Sequence, residues 1–157
     1  MVLIITGPMD SGKTTRFLSL YDKRREGDGF ASIKDMEGHD VTGFRLMRLS
    51  DKKTHTLCVH EVHGTKRIDD GFRFGPYVFD NHVFDMVCDV ITTLTDQGMT
   101  TIWLDEIGRL ELEGHGFDKT MRTAMDAGAH LVITVRDTHV DDVIGRYGLS
   151  DVTIITV

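Results

Sequence analysis

Val2-Leu3-Ile4-Ile5 runs through Thr6 into Gly7-Pro8-Met9-Asp10-Ser11-Gly12-Lys13-Thr14-Thr15. The second stretch satisfies G-x-x-x-x-G-K-[ST], and the apolar run before it has the look of a strand buried on both faces. Glycines at both ends of the turn let the backbone close around an anion, and a helix is predicted to begin near Lys13. In that turn the unpaired N–H groups point inward, and the helix dipole adds partial positive charge, so a polyphosphate is held mainly by main chain. All nine residues, Gly7 to Thr15, are therefore expected to line a nucleotide site. Lys13 is expected to reach the β- and γ-phosphates, Thr14 to offer its hydroxyl to Mg²⁺, and Thr15 to lie near the α-phosphate.

Working outward, Phe17, Leu18, Leu20 and Tyr21 keep helical spacing until Lys23, Arg24 and Arg25, ahead of Gly27 and Gly29. From Phe30 to about Val62 the pattern breaks into β-like pieces, Phe44 to Leu49 and Thr56 to Val62. We read residues 30–63 as an antiparallel insertion in a parallel framework, and Gly64 to Gly75 as loop. Asp80 or Asn81 is expected to cap a helix with Val83, Phe84, Val87, Val90, Ile91 and Leu94 on its apolar face, ended by Gly98. A helix through Phe117, Met121, Ala124 and Met125 stops at Gly128, and a strand follows from Leu131 to Val135. Thr138 is expected to cap a short helix with Asp141 in the capping-box position, and Val152 to Val157 is the last strand. Strands alternating with helices predict an α/β sandwich of three layers around a mostly parallel sheet, in one domain spanning residues 1–157.

Thr101-Ile102-Trp103-Leu104 is a strand that delivers Asp105 and Glu106 at its carboxyl end, where open α/β sheets bind their ligands. Side chains alternate along a strand, so the two acids have different tasks. Asp105 is expected to support Mg²⁺ behind Thr14, and Glu106 to polarise a water for attack on the γ-phosphorus. Arg109 can offset phosphate charge or pair with Glu111 or Glu113. Thr134 can reach the attacking water or the γ-phosphate if its strand lies between those of the two motifs.

Composition narrows the partners. A formal charge of −7 disfavours nonspecific attraction to nucleic acid, and Arg45, Arg48, Lys52 and Lys53 read as a solvated hairpin face. No apolar run is long enough to span a bilayer, and the start has no signal-peptide pattern, so a cytoplasmic monomer without membrane contact is expected. Cys58 and Cys88 are isolated and read as buried reduced thiols. His60-Glu61-Val62-His63 lacks the four-residue histidine spacing of a helical zinc site.

Asp105-Glu106-Ile107-Gly108-Arg109-Leu110-Glu111-Leu112 closely resembles the second motif of the small cancer-related or thermophile-type nucleoside-triphosphatases, D-E-I-G-[KR]-[ML]-E-L. Gly29-Phe30, Gly43-Phe44 and Arg73-Phe74-Gly75-Pro76-Tyr77-Val78 followed by Phe84 extend the resemblance over most of residues 1–148. It implies a RecA-like P-loop core with an antiparallel addition, and Mg²⁺-dependent hydrolysis of several nucleoside triphosphates, ATP and GTP among them. Val41 and Thr42 stand where the family has an arginine before the glycine matching Gly43, and the family's C-terminal extension has no counterpart.

Two rival readings remain. Asp105 to Gly108 also fits the D-x-x-G of GTP-binding switches, but Thr65-Lys66-Arg67-Ile68-Asp69 follows the guanine motif [NT]-K-x-D only superficially and precedes the D-x-x-G strand. A small-molecule kinase would need an arginine-bearing lid, for which Arg136 and Arg146 are the candidates.

Overall fold

The computed structural model describes all of residues 1–157. Nine strands form one mixed sheet: β1 (Val2–Gly7), β2 (Asp28–Glu37), β3 (Asp40–Arg48), β4 (Thr54–His60), β5 (Gly71–Phe74), β6 (Tyr77–Asp80), β7 (Thr101–Ile107), β8 (His130–Arg136) and β9 (Val152–Thr156). Their spatial order is β5-β6-β4-β3-β2-β7-β8-β1-β9. From β2 to β9 every neighbouring pair is parallel, while β2-β3, β3-β4, β4-β6 and β5-β6 are antiparallel. Thus β2 belongs to both parts: Asp28 to Phe30 pair with β7, and the strand then continues as the first member of the antiparallel addition.

The helices are α1 (Lys13–Arg24), α2 (Asn81–Asp96), α3 (Arg109–Leu112), α4 (Asp118–Asp126) and α5 (Val140–Tyr147). Alternation along β1, β7 and β8 sends their side chains to opposite faces. Val2, Ile4, Ile102, Leu104, Leu131 and Ile133 pack with Phe84, Val87 and Ile91 of α2, Met121 and Ala124 of α4, and Val143 and Tyr147 of α5. On the other face Leu3, Ile5, Trp103 and Val132 pack with Phe17 of α1. Phe17 and Tyr21 meet the Trp103 ring edge-on, at 5.4 and 5.2 Å between centroids, and Trp103 Nε1 donates to Glu26 O at 2.9 Å. This tripod fixes the helix that follows the phosphate loop against the strand that carries the acids.

Three local expectations change. Residues 71–80 form the β5-β6 hairpin rather than continuing the loop into Gly75, so the antiparallel part extends well past residue 63. The sequence hides this because each strand is only four residues long: β5 alternates exposed with half-buried residues over just two repeats, and β6 is half-buried throughout. Thr138 does not cap α5: residues 137–139 form a short 3-10 turn, and Asp137 Oδ1 accepts the Thr138 N–H at 2.9 Å. The short α3 falls inside the family-like second motif, where no apolar periodicity could announce it. Asp80, as expected, caps α2 by accepting the His82 N–H at 2.9 Å.

The basic hairpin face is partly spent on ion pairs, Arg45 with Asp35 at 2.7 Å and Arg48 with buried Asp28 at 2.8 Å. Cys58 and Cys88 are both buried free thiols, and burial pushes the Cys58 thiol up to about 12. No helix is long and apolar enough to cross a membrane.

Candidate nucleotide site

β1 and β7 are separated by one strand, β8, and the loop after β1 and the acids at the end of β7 meet at the carboxyl edge of the sheet. Gly12 has φ 93°, a left-handed conformation natural to glycine, and begins α1 without a side-chain cap. Gly7 is needed for a different reason: a Cβ there would stand 2.5 Å from Ser11 Oγ and 2.8 Å from Val157 O. Asp10 also takes the left-handed region, φ 56°, which an aspartate enters more readily than most residues.

The Lys13 side chain lies inside this loop. It is only 7% exposed, its Nζ donates to Pro8 O at 2.7 Å, and no carboxylate lies within ion-pair distance. A buried ammonium satisfied by a neutral carbonyl is costly, and an anion in the loop removes that cost. Ser11 Oγ is buried in the same loop without a hydrogen-bond partner.

Asp105 is the centre of the hydrogen-bond network. Thr14 Oγ1 donates to its Oδ2 at 2.9 Å, the Ser32 N–H to the same oxygen at 3.0 Å, and Thr134 Oγ1 to its Oδ1 at 2.5 Å. Burial pushes the Asp105 carboxyl above its ordinary range, and the hydrogen bonds from Thr134, Ser32 and Thr14 oppose the rise. Thr134 does lie on the strand between the two motifs, but its hydroxyl is committed, donating to Asp105 and accepting the Glu106 N–H at 2.8 Å. It aligns the two acids.

The register between β7 and β8 slips between Leu104 and Ile107, and Glu106 sits in this bulge at φ 62°. A non-glycine residue in that region stores roughly 1–3 kcal/mol of strain. The bulge, as much as strand alternation, turns Asp105 inward and Glu106 out to the rim. Although its side chain is exposed to solvent, protein crowds Glu106 on several sides. This desolvation raises its carboxyl above the ordinary range, the Asp105 charge adds to the rise, and Lys13, Arg136 and Lys34 oppose it.

The other candidates are placed as follows. Arg109 stacks its guanidinium on Phe74 of the β5-β6 hairpin at 5.2 Å and approaches Glu113 at 3.9 Å. Arg136 ends β8 opposite Gly7 in the parallel register. Arg146 is held by Asp118 at 3.2 Å and is unavailable as a free lid residue in this arrangement. The Gly108 N–H, which a GTP switch would present to phosphate, is taken by Glu111 Oε2 at 2.8 Å. Glu111 went unassigned in the sequence except as a partner for Arg109; instead it is buried, bridges the Gly108 and Phe117 N–H groups, and has its carboxyl pushed up to about 7 by burial. Lys34 was also missed, because nothing in a hairpin sequence signals that its Nζ will meet Asp10 at 2.8 Å.

A phosphate loop, a carboxylate bound to the loop's threonine and an intervening strand between the two motifs define a P-loop nucleoside-triphosphatase fold. The chain belongs to the family described as NTPase, whose model matches residues 2–157. It is similar in fold to THEP1 from the hyperthermophile Aquifex aeolicus, with 20% sequence identity, a TM-score of 0.66, and coverage of 99% of this chain and 89% of that one. No curated protein shows a significant match.

Proposed function

We propose that the protein hydrolyses nucleoside triphosphates to diphosphate and phosphate, with Mg²⁺ and with little discrimination among bases. The observation that carries this reading is the buried Lys13 ammonium, which has no carboxylate within ion-pair distance and lies in the same loop as the Thr14 that binds Asp105. Thr14 gives its hydrogen to Asp105, so its oxygen retains lone pairs for a hard cation, and an all-oxygen set of Thr14 and Asp105 suits Mg²⁺. Mg²⁺ held there would supply positive charge to offset that of the phosphates.

The chain's own residues supply the rest. The backbone of Gly7 to Thr15 and Lys13 hold the triphosphate in line. Glu106 accepts a proton from water as the water oxygen bonds to the γ-phosphorus, and the bond to the bridging oxygen breaks, leaving its electron pair on the diphosphate. The raised carboxyl of Glu106 makes it a stronger base than an ordinary glutamate. Arg109 is assigned to offset charge on the phosphates, for which it must leave Phe74. Base tolerance rests on a loop that grips phosphate through main chain, since strong discrimination requires dedicated hydrogen bonds to the base.

Phosphate release from ATP, GTP, CTP and UTP, with Mg²⁺ or a chelator and without any acceptor, tests the reading. All four should be hydrolysed with efficiencies within roughly two decades, and the chelator should stop the reaction. Turnover only with an added hydroxyl acceptor would make the protein a kinase.

A further inference from the structure

Lys34 reaches from the sheet to the phosphate loop. It lies on β2 two residues beyond Ser32, whose N–H holds Asp105, so both side chains leave the strand on the same side at the edge where the acids emerge. Its Nζ is 2.8 Å from Asp10 Oδ1, in the middle of the loop. The side chains are 40% and 69% exposed, and a pair so open to solvent contributes little to stability. Asp10 places a carboxylate beside backbone groups that gather phosphate, where its charge opposes a polyphosphate. Lys34 cancels that charge on a long, flexible stem, and its field reaches Glu106 as well.

We propose that Lys34 determines the preference for triphosphate over diphosphate: with a triphosphate bound, its ammonium leaves Asp10 for the terminal phosphate, and with a diphosphate it stays on Asp10. This deepens the nucleotide reading above and rests on it. The exchange is favoured because a terminal phosphate carries more negative charge than a carboxylate and offers more acceptor oxygens. Asp10, already mostly exposed, turns to water at little cost. A diphosphate leaves the terminal position empty, so nothing draws the ammonium away.

The test is calorimetric binding of Mg²⁺ with a non-hydrolysable imido-triphosphate or with the diphosphate, to the parent chain, Lys34→Ala and the double variant Lys34→Ala/Asp10→Asn. Lys34→Ala should lose about tenfold of the triphosphate preference: both affinities fall because Asp10 is left uncancelled, but the triphosphate's falls about tenfold further than the diphosphate's. The double variant should remain deficient. An unchanged preference in Lys34→Ala overturns the proposal, as does full recovery in the double variant, which would reduce Lys34 to a neutraliser of Asp10. A parent chain that binds neither nucleotide overturns the site assignment itself, whereas a parent that binds with Lys34→Ala unaltered overturns the lysine's role alone.

Discussion

Thr134 Oγ1 sits between Asp105 and Glu106, donating to the carboxylate of the first and accepting the backbone N–H of the second. One fully buried hydroxyl thus fixes both the inward acid and the bulge that turns its neighbour outward. The site's geometry therefore depends on the strand between the two motifs as much as on the motifs.

Thr134→Val keeps the shape of that side chain and deletes both bonds. It leaves a buried carboxylate short of one donor and the Glu106 N–H without its acceptor, at a cost of about 1–3 kcal/mol. Urea unfolding should show this loss, and turnover should fall further than nucleotide affinity because Glu106 is no longer held in its bulge. Parent-like turnover in the variant would remove Thr134 from the positioning of the acids.

Glu106→Gln should retain nucleotide binding and lose most hydrolysis, by ~10²- to 10⁴-fold, since the amide cannot accept the proton from water. The pH profile offers an independent check. Burial and the Asp105 charge raise the Glu106 carboxyl above 4.5, so the parent's rate should climb with pH through a value above that figure as the base ionises. Single-turnover rates across pH, with and without the substitution, should show this acid limb vanish in Glu106→Gln.

Lys13→Ala removes the buried ammonium from the loop. Folding should not suffer, because the parent pays to bury that charge against a lone carbonyl. Triphosphate affinity should drop and turnover should cease. Unfolding curves beside titration calorimetry will separate the two effects, and undiminished triphosphate binding would refute the placement of phosphate at Lys13.

Glu111 makes stability depend on pH. Its carboxyl is raised from 4.5 to about 7, so the folded chain holds a proton that the unfolded chain releases. Stability from this group is full below about 4.5 and is lost as pH rises through about 7, by roughly 3 kcal/mol at most. Chemical unfolding at intervals from pH 5 to 8 should show the decline. Glu111→Gln should flatten it, while lowering stability throughout, because an amide presents an N–H group to one of the two backbone donors of Gly108 and Phe117.

The first β-strand, the phosphate loop and the acids at the carboxyl end of β7 could be read from sequence because each is a local statement. A buried strand needs consecutive apolar residues, an anion loop needs glycines at fixed spacing, and neither depends on what packs nearby. The three layers followed from the alternation of strands and helices. The β5-β6 hairpin and α3 are too short for periodicity to speak, and pairing with β4 and the grip of Glu111 on Gly108 decide them. Most of the site's electrostatics also arises from residues distant in the chain: Asp105 meets Thr14 and Thr134, and Asp10 meets Lys34. Sequence supplied the groups that can hold phosphate and polarise water. Only the order of strands brought them to one edge, because hydrogen-bond partners 24 to 91 residues apart are chosen by sheet topology and not by local propensity.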